Sequence, residues 1–265
     1  MPEPEDDLSL LLRAAARAGD IARSFFGQDP TIYDKGPEGP VTEADLAIDA
    51  MLHDVLRPAR PDYGWLSEET EDGPGRLARE HVFICDPIDG TRAFIEGSTS
   101  FSHSLAVARR GTVTAAVVFL PMRDKLYAAS AGGGATLNGA ALAVSDVTAP
   151  QDATVLTTKA NLLSSHWPHG VPAIQRAYRP SLAYRMSLVG EGRFDAMMTF
   201  RPTWEWDIAA GALIVAEAGG TVSDGHGGPL RFNGTSAQVD GVLAAAPGLH
   251  GALMGLRTGA GQAAG

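Results

Sequence analysis

The sequence predicts an α/β (α+β) chain, with an antiparallel sheet in the N-terminal half, residues 1–150, and a smaller mixed sheet in the C-terminal half, residues 151–265. Three features point there. Two segments near the start repeat apolar residues at helical spacing. Residues 101–137 are short apolar runs joined by tight turns, which marks an antiparallel meander with local connections. Near residue 150 the meander stops, and strand and helix patterns follow one another.

A length of 265 residues fits one large domain or two small ones sharing an interface, and 45% apolar residues are ample for a core. The formal net charge of −10 gains nothing from the phosphate backbone of nucleic acid, so a nucleic acid polymer is not an expected partner. Cys85 is the one cysteine, which excludes an intrachain disulfide and is compatible with a reducing cytoplasm. Met1 to Asp7 lacks the charged-then-apolar order of a signal peptide, and no apolar run approaches a membrane span. The expectation is a cytoplasmic protein without a membrane partner.

Asp6 to Phe26 reads as the first helix, with Leu8, Leu11, Leu12, Ala15, Ala18, Ala22 and Phe25 at helical spacing. Gly27 to Gly39 reads as a polar loop carrying one base, Lys35. Pro40 to Asp45 opens the second helix, with Thr42 and Asp45 at capping-box spacing and Pro58 closing it. Tyr63 to Ser67 and Val82 to Cys85 read as short strands, and Glu71 and Asp72 between them as solvated. Phe101 to Ala108, Val113 to Leu120, Leu126 to Ala129 and Ala135 to Leu137 form the meander. Beyond residue 150, Thr154 to Thr157 is a strand, Lys159 to Pro180 a loop, Ser181 to Glu191 a helix and Phe194 to Thr199 a strand. Trp204 to Asp207 opens a helix over Ile208 to Ala218, apolar nearly all round and hence buried. Thr221-Val222, Leu230 to Phe232 and Val242 to Ala245 are short strands, and the Ala/Gly tail after Arg257 is frayed.

Chemistry gathers where these elements end. In Asp86-Pro87-Ile88-Asp89-Gly90-Thr91 two carboxylates stand where a buried strand breaks into a turn. Burying like charges is costly unless a cation neutralises them, and carboxylates suit magnesium, manganese or calcium rather than zinc. The same six residues are also compatible with an ordinary Asp-rich turn. Asp45 by itself reads as a helix cap, and Asp207 by itself as an N-terminal helix acid. Taken together, Glu68, Asp86, Asp89 and Asp207 each end an apolar element and favour one shared metal cluster, and hard cations about 4 Å apart make a phosphoryl-transfer site. No EF-hand loop, His-Glu-x-x-His, Gly-x-Ser-x-Gly or dinucleotide Gly-x-Gly-x-x-Gly is present. The scattered histidines read as structural or surface residues.

Asp-Pro-Ile-Asp-Gly-Thr, preceded by Ser-Glu-Glu at 67–69 and followed by Trp-Asp-x-Ala-Ala-Gly at 206–211 and Glu-Ala-Gly-Gly at 217–220, resembles the inositol monophosphatase superfamily. The resemblance runs in order from Lys35 to Gly220. It implies an αβαβα layered sandwich of the sugar-phosphatase type, and a magnesium-dependent phosphomonoesterase, often lithium-sensitive and dimeric, that hydrolyses a small phosphorylated metabolite with metal-activated water. Carried over by position, Glu68, Asp86 and the Ile88 carbonyl would hold a first magnesium ion, and Asp86, Asp89 and Asp207 a second. Glu68 would also help place a third. Asp45 and Thr91 would orient and deprotonate the attacking water, Gly90 and Thr91 would offer backbone N–H groups to the phosphate, and Lys35 matches a loop lysine near the metals.

Substrate choice is less legible. Ser181 to Arg185 aligns with a stretch that in 3'(2'),5'-bisphosphate nucleotidases ends in lysine, so Arg185 could clamp a second phosphate; by itself it reads equally as a surface base on its helix. Pro202 to Asp207 also looks nucleotidase-like, and Phe200 and Arg201 stand where inositol enzymes often place an acid. Against that, Ser181 replaces a glycine. The expectation is a bisphosphate-nucleotidase-like phosphatase, with inositol-1-monophosphatase as the alternative and histidinol phosphatase or a non-catalytic member behind it.

Overall fold

The computed structural model describes residues 5–36 and 39–259. Helix α1 (Asp7–Phe25) opens on Asp6, whose carboxylate accepts from the Ser9 N–H at 2.6 Å. Its stripe of Leu10, Leu11, Ala14, Ala15, Ala18 and Ala22 is fully buried. The expected polar loop contains a small ribbon instead: β1 (Ile32–Asp34) pairs antiparallel with β2 (Pro40–Thr42). All of β1 is exposed, so no buried face imposes an alternation that a sequence could display. Helix α2 (Glu43–Ala59) begins with the expected capping box between Thr42 and Asp45, but runs through Pro58. That proline lies next to the helix's last residue, so the single bond its missing N–H removes falls at the end of the ladder, and only Ala59 follows it in the helix.

Strand β3 (Gly64–Ser67) is followed by β4 (His81–Asp89), which extends past Cys85 and carries the Asp-Pro-Ile-Asp motif within it. After the short helix α3 (Thr91–Ile95) come β5 (Ser102–Arg109), β6 (Thr112–Leu120), β7 (Lys125–Ser130), β8 (Gly134–Leu137) and β9 (Ala140–Ala141). β3 to β9 form a seven-stranded sheet in chain order, antiparallel except for the β3–β4 pair.

The second sheet contains β10 (Thr154–Leu156) and β11 (Gln175–Ala177), the latter inside the stretch expected as loop. Helix α4 (Leu182–Gly190) precedes β12 (Ala196–Trp204), which outruns its expected end at Thr199 and leads directly into α5 (Glu205–Glu217). β13 (Thr221–Ser223), β14 (Gln238–Ala245) and α6 (Pro247–Thr258) complete it. The order is β11-β10-β12-β14-β13, with β10 parallel to both neighbours and the remaining pairs antiparallel. Leu230 to Phe232 is not a strand. Its Phe232 is buried and donates its N–H to the Gly111 carbonyl at 3.1 Å, so the apolar residues there cover the end of the first sheet. Helix α6 was not foreseen, and most of the tail expected to fray, residues 260–265, lies outside the described residues.

Three apolar clusters define the layers. One joins α1 and α2 to the face of the first sheet bearing Phe83, Cys85, Leu105 and Val107. The second joins the opposite face to α4, α5 and the inner face of the second sheet. The third packs α6 on that sheet's outer face. The chain is therefore an αβαβα sandwich. α5 is buried on nearly every side between the sheets, and a Cβ at Gly211 would stand 2.5 Å from Met186 Cβ, so the α4–α5 crossing depends on that glycine.

Candidate active site

The acids meet because β4 is irregular. Asp86 pairs with Ser104 and Asp89 with Ser102, so Pro87 and Ile88 stand opposite the single residue His103. In a regular strand residues i and i+3 point to opposite faces. The extra residue of a β-bulge restores the alternation and turns both carboxylates to one side, the side facing α4 and α5. Asp207, in the first turn of α5, arrives from the other half of the chain, and carboxylate oxygens of Asp86, Asp89 and Asp207 lie within 4.8 Å of one another. Neighbouring hydrogen bonds fix the backbones that carry them. His103 Nδ1 lies 2.5 Å from the Pro87 carbonyl, and the Ser104 hydroxyl donates to the Trp206 carbonyl at 2.8 Å.

Asp89 is anchored along one edge: its Oδ2 accepts from the Ser181 hydroxyl and from the Ala183 N–H, both at 2.7 Å, at the start of α4. Ser181 caps that helix, accepting from the Tyr184 N–H at 3.0 Å, and does so at φ +65. This is left-handed backbone that favours glycine, which accounts for serine being the unusual residue there. Gly90, at φ +104, lets the chain turn out of β4 into α3. Thr91 Oγ1 stands 3.1 Å from Asp45 Oδ1 and 3.2 Å from the Ile88 carbonyl, so Asp45 is at once a helix cap and a partner of Thr91. Lys35 Nζ bonds both Glu69 oxygens at 2.9 Å and lies 3.6 Å from Glu68 Oε1.

The electrostatics are those of a cation site. Burial, reinforced by Glu68, Asp89 and Asp207, holds the Asp86 carboxyl well above the usual range. Asp207 is raised in the same way by burial and then by Asp89 and Glu68. Glu68 is pushed up to about 7 by burial and by Glu69, with Lys35 opposing. Asp86 Oδ1 is buried without a hydrogen-bond partner among the described residues, and such a group calls for a ligand. An all-oxygen donor set with one orphaned carboxylate oxygen fits a hard divalent cation.

A cleft of about 1260 Å³ opens over this cluster. Its lining includes the acid-rich group Lys35, Glu68, Asp89, Thr91 and Asp207 and, beside it, Tyr178, Arg185, Phe200, Arg201 and Trp204. Arg185 is not a surface base. It is buried, donates from Nε to the Arg179 carbonyl, and stacks its guanidinium 4.4 Å from the Tyr178 ring centre. Trp204 and Trp206 are stacked at 4.6 Å. Sequence reasoning missed several residues here. Asp49 accepts from Ser67 Oγ at 2.5 Å and Thr70 Oγ1 at 2.7 Å, pinning the chain on both sides of Glu68-Glu69. Glu69 itself was visible beside Glu68, but its pairing with Lys35 was not. His103 and Ser104 carried no signal, because their role depends on strand register.

A model of the inositol monophosphatase family matches residues 3–261. The inositol-1-monophosphatase of Rhizobium meliloti (strain 1021) is 37% identical over 83% of this chain and 86% of its own length. A protein named Nus factor SuhB from Pseudomonas aeruginosa is 36% identical over 82% of this chain and 84% of its own. Among solved structures, the Thermotoga maritima IMPase superposes with a TM-score of 0.81 at 29% identity, covering 95% of this chain and 96% of that one. With its motifs assembled in one cleft and its whole length matched, the chain belongs to the inositol monophosphatase family.

Proposed function

We propose that this chain is a magnesium-dependent phosphomonoesterase of small phosphate esters, with an inositol monophosphate as its lead substrate. The observation that carries the reading is the convergence of Asp86, Asp89 and Asp207 within 4.8 Å, next to the Asp45–Thr91 pair. In this reading Glu68, Asp86, the Ile88 carbonyl, Asp89 and Asp207 hold the cations. Bound divalent cations supply Lewis-acid chemistry, lowering the pKa of water and offsetting charge on the ester. Thr91 and Asp45 orient a water and take its proton: the Thr91 hydroxyl donates to one oxygen of Asp45, whose other oxygen is held by Thr42. Gly90 and Thr91 present N–H groups to the phosphate. Lys35, held by Glu69 and near Glu68, offsets the negative charge of those two acids where they line the cleft.

The sequence favoured a bisphosphate nucleotidase; the relatives named inositol-1-monophosphatase, at 37% and 34% identity, give the alternative better support. One feature keeps the nucleotidase as a second reading. Arg185 lines the cleft, where its charge already favours the ionised forms of Asp89 and Asp207, and in the second reading the same guanidinium would hold a second anionic group. Catalysis is favoured over a purely regulatory role because the acid cluster stands next to the Asp45–Thr91 pair, which can take a proton from water, in one cleft. The test is a side-by-side magnesium-dependent assay of inositol 1-phosphate, adenosine 3',5'-bisphosphate and histidinol phosphate by kcat/KM. The highest value is expected for inositol 1-phosphate. A preference for the bisphosphate transfers the lead to the second reading, and turnover of none of the three sinks the phosphatase assignment for this substrate class.

A further inference from the structure

The bulge that turns Asp86 and Asp89 to one side has a residue dedicated to holding it. Pro87 and Ile88 are the two residues that face one across the ladder, and that one is His103. A bulge interrupts the ladder and leaves its extra residue without a regular partner, and Pro87 has no N–H to contribute. His103 reaches that segment from β5. It is fully buried, between Phe101 and Phe119, with ring centres at 6.2 Å from each. A carbonyl only accepts, so the 2.5 Å contact with the Pro87 oxygen requires a proton on Nδ1. The other nitrogen, Nε2, is buried and has no partner among the described residues. An orphaned buried ring nitrogen is a cost to the fold, and a leucine of similar size would avoid it. The residue is thus poorly explained as core filling and well explained by its one hydrogen bond.

We propose that His103 is a positioning residue for the metal-binding acids, clamping the Asp86–Asp89 bulge through the Pro87 carbonyl. The inference rests on the reading of the acids as a cation site. It concerns how far the two carboxylates are pre-set before a cation arrives, since partners behind metal ligands typically change metal affinity about 10–100-fold when removed.

The test measures Mn²⁺ binding to metal-free protein by calorimetry, beside the thermal midpoint of the same samples. His103→Leu fills the space and removes the donor. His103→Asn keeps an N–H near the position of Nδ1. A control, Ser223→Ala, removes a buried hydroxyl of β13 that bonds His250 Nε2 of α6 at 2.8 Å. The expected result is a Kd raised about 10-fold or more in His103→Leu, close to wild type in His103→Asn, and unchanged in Ser223→Ala. Wild-type affinity in His103→Leu overturns the proposal, as does equal weakening in the leucine and asparagine variants. Absence of Mn²⁺ binding by the wild-type protein overturns the cation-site reading itself, which distinguishes the two failures.

Discussion

Thr91 Oγ1 lies 3.1 Å from Asp45 Oδ1, while Asp45 Oδ2 accepts from the Thr42 N–H at 2.9 Å. One buried carboxylate therefore serves the helix with one oxygen and the site with the other. Burial raises its pKa and the bonds from Thr42 and Thr91 oppose that rise. Asp45→Asn should lower kcat by about 10²–10⁴-fold, the range for a lost general base, and reduce stability by only about 1 kcal/mol, the scale of a weakened cap. Thr91→Ser should keep most activity and Thr91→Val lose it. Initial rates at saturating magnesium, with thermal midpoints of the same proteins, check this; an active Asp45→Asn contradicts the role.

Metal-free stability should depend on pH with a definite sign. Burial and Glu69 push the Glu68 pKa up to about 7, from an ordinary glutamate value of 4.5, so the folded chain keeps its proton longer than the unfolded chain. Its contribution to stability is full below the unfolded value and is lost as pH rises toward 7. Asp86 and Asp207 are shifted in the same direction. A cation replaces those protons, so the gain in Tm on adding magnesium should grow between about pH 5 and pH 8. Scanning calorimetry with and without magnesium measures it, and a pH-independent gain would contradict the linkage.

Arg185 separates the two substrate readings. Arg185→Ala should raise KM for adenosine 3',5'-bisphosphate by about 10-fold or more if its guanidinium holds a second phosphate, and should affect inositol 1-phosphate less. Equal effects on both would assign Arg185 to the structure of the cleft wall, where it stacks on Tyr178.

Asn233 ties the halves of the chain together. Its Oδ1 accepts from Arg76 Nη1 at 2.7 Å, and its Nδ2 donates to the Arg76 carbonyl at 3.2 Å. Its own N–H donates to Glu205 at 2.6 Å. It does so at φ +61, where asparagine is better tolerated than alanine. Asn233→Ala should cost about 2–3 kcal/mol from two lost side-chain bonds and backbone strain, read as a lower denaturation midpoint. A change within about 0.5 kcal/mol would mean that the tie contributes little.

What the sequence displayed was whatever is local. The stripe of α1, the capping box of Thr42 and Asp45, the meander and the all-round apolar α5 each follow from residues a few positions apart. The order of acids named the family through its motifs. The rest depends on register and on distant packing. No periodicity announces that Asp86 and Asp89 share a face, because that takes a bulge opposite His103. Ser181 was visible as a helix start, but not as a donor to Asp89, which lies in the other half of the chain. Arg185 reads locally as a surface base, and only the burial of α4 on every side places it in the cleft wall. β1 and the stretch at 230–232 depart from expectation for a common reason: short segments gain or lose strand character through a neighbour, not through their own composition.

The central claim is that acids from both halves of the chain make one magnesium-dependent phosphatase site, and Asp207 tests it with the least disturbance. The measurement is phosphate release from inositol 1-phosphate, with and without magnesium, by wild-type protein and by Asp207→Asn shown to be folded. Wild-type release should require magnesium, and the variant should lose about 10³-fold or more, equivalent to several kcal/mol of lost charge stabilisation. Magnesium-independent release by the wild type, or full activity in Asp207→Asn, would contradict the account.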